Sequence, residues 1–140
     1  MSSNQKFDLL RIAVVGAHLT GMPLNHELTG RDATFVERTT TAANYHLYAL
    51  SGTVPPKPGL SRSADGTGEA IEVELWDMPR IAVGSFLAII PAPLGLGSLE
   101  LADGRTVHGF ICEGYALENA EDITKFGGWR AYCASKSASS

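Results

Sequence analysis

Apolar and polar positions along the chain fall into a small set of strand-like and helix-like stretches. Leu9 to Val15 ends in four consecutive apolar residues before Gly16, the pattern of a central strand covered on both faces. Pro23 to Glu27 suits a short helical turn that Gly30 ends. Ala33–Thr40, rich in β-branched residues, and Tyr45–Leu50, alternating apolar and polar-tipped, read as neighbouring strands that pair antiparallel. The prolines around Lys57 in Ser51–Leu60 rule out helix and central strand alike, and Ser63–Gly68 is a turn at an expendable tip. Ala70–Trp76 alternates, with Ile71, Val73 and Leu75 on one face and Glu72 and Glu74 on the other.

A helix over roughly 79–89 follows, capped by Asp77 and presenting Val83, Phe86, Leu87 and Ile90 as one stripe, until Pro91 and Pro93 stop it. Ser98–Leu101, a tight Ala102-Asp103-Gly104 turn and a long arm from Thr106 to Leu117 make a hairpin. Asp122–Tyr132 folds back as a short helix. Strands, one helix and a closing hairpin without βαβ alternation predict an α+β domain with a mostly antiparallel sheet curled toward a barrel. The expected organisation is a flexible N-terminus at 1–8, a single domain at 9–133 and a disordered tail at 134–140.

Composition narrows the partners. The 140 residues suffice for one core without metal or disulfide support, and a net charge of -4 with scattered cations offers no track for nucleic acid. The first residues lack a secretory apolar stretch and no run reaches membrane-spanning length, so a cytoplasmic protein off the membrane is expected. Cys112 and Cys133 have neither metal-ligand spacing nor a disulfide framework, and no metal or cofactor is expected.

Candidate chemistry gathers where the first strand ends. Gly16 and Ala17 let backbone N–H groups approach a ligand, and His18, with Asn25 a turn later, flanks them in a way that suits a small anion. The plainer alternative is a strand-exit turn that His18 caps. Lys57 is held between Pro56 and Pro58, either to meet an anion with little entropic loss or as an exposed charge on a stiff connector. In the long arm, period-two counting places Glu113 with Val107, Ile111, Tyr115 and Leu117, as a buried acid or an edge residue in a salt bridge. No nucleophile elbow, P-loop, dinucleotide fingerprint or zinc-spaced histidine pair occurs.

The stretches at 14–25 (Val-Val-Gly-Ala-His-Leu-Thr-Gly-Met-Pro-Leu-Asn), 47–50 (Leu-Tyr-Ala-Leu), 55–60 (Pro-Pro-Lys-Pro-Gly-Leu), 90–97 (Ile-Pro-Ala-Pro-Leu-Gly-Leu-Gly) and 126–132 (Phe-Gly-Gly-Trp-Arg-Ala-Tyr) together resemble the C-terminal domain of allophanate hydrolase. Through it the chain also resembles the γ-glutamylcyclotransferase-like superfamily, which implies a small mixed β-barrel with flanking helices. Members that cyclise γ-glutamyl amines carry a Tyr-Gly-Ser loop and a helix-end glutamate. Val15-Gly16-Ala17-His18 and Ile90-Pro91-Ala92-Pro93 stand in their places, so that activity is not expected. The Lys-Ser-Ser set of the amidase half is also missing.

The resemblance implies decarboxylation of N-carboxycarbamate, a small dianion, by a protein made apart from its amidase. His18 would then be the proton source. Gly16, Ala17, Leu19, Asn25 and Lys57 would bind substrate, with Tyr48 as a binding or orienting residue and Glu113 as a catalytic orienter. The alternative is a non-catalytic module that binds a small carboxylate or organises the oligomer of an amidase partner, with a homodimer left open.

Overall fold

A computed structural model describes residues 8–139; the segment 1–7, the bulk of the expected flexible N-terminus, lies outside them, as does Ser140. The elements are β1 (Leu9–Val14), α1 (His26–Thr29), β2 (Thr34–Thr40), β3 (Tyr45–Ala49), β4 (Pro58–Arg62), β5 (Glu72–Pro79), α2 (Arg80–Ala88), β6 (Leu94–Glu100), β7 (Thr106–Cys112), β8 (Glu121–Asp122) and α3 (Trp129–Ser139). The fold is α+β, with a five-stranded sheet in the order β2-β5-β1-β7-β6 and a three-stranded sheet in the order β4-β3-β8. All pairings are antiparallel except β1 with β7, where Ile12 lies opposite His108 and Ala13 opposite Gly109.

β1 is apolar throughout its second half because it is central, and Ile12, Ala13, Val14 and Val15 are buried. Two close approaches bring the small sheet over the ends of β1 and β7. A Cβ on Gly16 would collide with the Pro58 ring, and one on Gly59 would lie 2.9 Å from the Cys112 sulfur. These glycines are required for proximity rather than for an unusual backbone angle.

Several sequence expectations change. β2 and β3 are not partners: β2 pairs with β5 and β3 with β4 and β8. The corner between them crosses from one sheet to the other, tied down where the Ala42 N–H donates to the Glu100 carbonyl at 2.9 Å. The proline-rich segment does yield a strand, β4. Pro58 is its first residue and β4 is an edge, the two circumstances in which proline is tolerated in a sheet.

Asp77 does not cap α2. It lies in β5 and accepts two hydrogen bonds from Arg11, at 2.9 and 3.0 Å, while Pro79 occupies the cap position without a side-chain bond. Within α2, Phe86 is fully buried and Val83 packs on the core, as does Ile90 just beyond the helix, but Leu87 is 51% exposed. In the hairpin the strand ends at Cys112. Its inward residue is Phe110, whereas Ile111 covers Gly97 of β6 at a half-open face. Residues 134–139, expected as a loose tail, continue α3.

Candidate functional site

Consecutive turns fold the segment after β1 into a compact loop. The N–H of Leu19 donates to the Gly16 carbonyl at 3.0 Å, that of Leu24 to Ala17 at 2.8 Å, and the Asn25 side-chain amide to the His18 carbonyl at 2.8 Å. Leu19 is buried in the core and anchors the loop by packing. Asn25 and Leu19 therefore hold the loop in shape and do not line its cavity. The backbone N–H groups of Ala17 and His18 make no hydrogen bond among the described residues.

The His18 ring is stacked on Phe110 with centroids 4.9 Å apart and meets the edge of Phe86 at 5.3 Å. Its Nε2 lies 2.7 Å from Glu27 Oε1. A carboxylate can only accept, so Nε2 carries the proton and Nδ1 is the nitrogen left for a ligand. Burial pushes the imidazole pKa down. Glu27 opposes that by hydrogen bond and charge, Lys57 and His26 add to it, and the outcome is a value below the usual histidine range.

Lys57 has both backbone groups satisfied: its N–H donates to Thr53 Oγ1 at 2.9 Å and its carbonyl accepts from Leu50 at 3.1 Å. The residue lines the cavity beside His18, close enough for its charge to act on the imidazole, and is only 8% exposed. The ammonium makes no ion pair or hydrogen bond among the described residues. Lysines this buried are ordinarily paired, and among the described residues this one is not.

The cavity has two parts. A recess of about 20 Å³, roughly the space of one water, is bounded by Gly16, Ala17, His18, Lys57 and Pro58. Beside it, sharing His18, Lys57, Leu94 and Phe110, is a chamber of about 250 Å³ walled by Val54, Pro55, Ile89, Ile90 and Pro91, with Glu27 as its only anion. A more open cleft of about 480 Å³ by Leu9, Arg11, Asp77 and Arg105 is chemically quieter. Its arginines are already engaged, Arg11 with Asp77 at 2.9 Å and Arg105 with Glu37 at 3.0 Å.

Of the residues singled out from the sequence, Gly16, Ala17, His18 and Lys57 therefore converge. Tyr48 does not line the cavity. It lies on β3 opposite Gly59 and Asp122, where burial first and the Asp122 charge second raise its pKa. Glu113 is exposed and outside the strand, because β7 stops one residue before it and the chain turns into a single 3₁₀ turn at Gly114–Ala116. The carboxylate that serves His18 is Glu27, which sequence reasoning passed over. The available signal was its place in the first turn after the His18 loop.

An α+β domain with one parallel pair in a mostly antiparallel sheet has the fold seen in γ-glutamylcyclotransferase-like proteins. A solved γ-glutamyl cyclotransferase shares the fold with a TM-score of 0.54 at 12% identity, over 81% of this chain and 69% of that one. The chain belongs to the family described as the allophanate hydrolase C-terminal domain, whose model matches residues 10–134. It is 45% identical over 126 residues to urea amidolyase of Saccharomyces cerevisiae, covering 88% of this chain but 7% of that protein's length. The structure of Kluyveromyces lactis allophanate hydrolase superposes with a TM-score of 0.86 at 45% identity, over 89% of this chain and 21% of that one.

Proposed function

We propose that this domain decarboxylates N-carboxycarbamate, and the observation that carries the proposal is the buried, unpaired Lys57 beside His18. Loss of carbon dioxide from a carbamate requires a proton on nitrogen, since a nitrogen anion is a prohibitive leaving group. In this reading one oxygen of a carboxylate enters the recess, against Lys57 and the N–H groups of Ala17 and His18. The other carboxylate faces the apolar chamber, where neutralisation by departure as carbon dioxide is favoured. His18 delivers a proton from Nδ1, the carbon–nitrogen electron pair stays on nitrogen, and Glu27 steadies the ring through Nε2. The dianion and one proton become carbamate and carbon dioxide.

A bound dianion raises the pKa of His18 from its depressed resting value, so the proton is acquired with substrate. Its supply from an amidase in the same compartment fits the membership of this family.

The test is carbon dioxide release from intermediate generated in situ by an amidase, with spontaneous breakdown subtracted. His18→Asn should lower the catalysed rate by about 10²–10⁴-fold. Lys57→Met, which keeps the packed stem, should weaken binding of malonate, a stable dicarboxylate, with little change in melting temperature. An unchanged rate in His18→Asn would remove His18 as the proton donor, and no release above background by the parent, with malonate still bound, would make the domain a carboxylate-binding module.

A further inference from the structure

Behind the His18 loop lies a buried ionic group that the proposed reaction does not use. Glu74, on β5, is fully buried. Its Oε1 accepts from both the N–H and the hydroxyl of Thr20, each at 2.9 Å, and from the Trp76 indole at 3.1 Å. Its Oε2 is 2.6 Å from Arg130 Nη2, which also donates to the Thr20 carbonyl at 2.7 Å. Thr20 thus has its N–H, carbonyl and hydroxyl all gripped, and it stands two residues from His18. Arg130 comes from α3, more than a hundred residues after Thr20, and its Nη1 is buried with no partner among the described residues. A loop needing only stability could be held by apolar packing at less desolvation cost, as Leu19 already does.

We propose that Glu74 and Arg130 are positioning residues which, through Thr20, fix the His18 ring and the two free N–H groups in the geometry that receives a carboxylate. This rests on the reading that the recess binds carboxylates, but it can be examined apart from that reading. The probes are the His18 ring resonances in the NMR spectrum of the full chain, which require no ligand, and malonate affinity by calorimetry. Arg130→Ala should displace the His18 resonances and weaken malonate about tenfold. Millimolar guanidinium should restore both, and Arg130→Lys should restore them in part.

Arg38→Ala is the control, because Arg38 reaches Glu74 at 3.6 Å without touching Thr20. It should leave the His18 resonances in place. If Arg130→Ala does not fold, Thr20→Val, which removes only the hydroxyl bond, carries the same expectation in weaker form. A folded variant that melts lower but keeps the parent's His18 resonances and malonate affinity would show the clamp to be structural only and overturn the proposal. Failure of malonate to bind the parent would refute the carboxylate reading, while the His18 resonances would still decide the positioning role.

Discussion

Burial lowers the pKa of His18, and that has a consequence for acid stability. Its pKa is lower folded than unfolded, so between the two values the unfolded chain binds the extra proton and stability rises with pH. The contribution is complete above the unfolded value near 6.5 and is lost as pH falls through the folded one. His18→Asn should flatten that part of the curve, measured as the urea midpoint from pH 7 down to pH 4. An unaltered slope would mean that burial does not govern the ring. Gly16 sets the companion constraint. Gly16→Ala forces Pro58 aside and with it Lys57, so malonate affinity should fall more than tenfold in a protein that still folds. His18, Gly16 and Lys57 were legible in the sequence because local chemistry marks them: a glycine at a strand exit, a histidine after it, a lysine between prolines. Glu27 and Arg130 were not, since what makes each matter is a partner brought close only by folding, and Glu113 misled because period-two counting ran past the strand's end.

Within α2 two adjacent side chains have opposite fates. Phe86 is fully buried against His18 and Phe110, while Leu87 is 51% exposed. Phe86→Ala should cost about 3–5 kcal/mol by leaving a cavity. Leu87→Ala should stay within roughly 0.5 kcal/mol, as surface substitutions do. Chemical denaturation of the two variants checks the helix face directly, and equal losses would contradict it. The helix itself was readable from its proline boundaries and the spacing of Val83, Phe86 and Ile90, whereas Leu87 continues the same stripe and nothing in the pattern tells where the core stops. β4 was hidden for the reverse reason: proline argues against strands in general, and only the sheet order shows that this strand is an edge. Glu74 sits on the face of β5 opposite Ile71, Val73 and Leu75, as alternation has it, yet it is fully buried because Arg130 of α3 closes over it.

That covering by α3 predicts where the chain tolerates shortening. Ending it after Cys133 removes no buried side chain among the described residues and should lower the melting temperature by no more than about 4 °C. Ending it after Gly128 removes the buried Trp129 and leaves Glu74 without Arg130, losses of about 3–5 kcal/mol each, comparable to the whole stability of a small domain. Calorimetry should then show no cooperative transition. The α+β class and the hairpin followed from the order of patterns, but the pairing partners did not, because strands that look alike in sequence are distinguished only by which edge remains for them. β1 is the case in point, flanked antiparallel by β5 and parallel by β7. Both partners are encoded far downstream, so on a translating ribosome β1 cannot be satisfied until residues near 79 and 109 have followed it. Non-local pairing of this kind folds slowly, in milliseconds to seconds. The apolar run Ile12–Val14 therefore stays without one or both of its native strand neighbours through much of synthesis, an unpaired strand edge for which chaperone shelter matters.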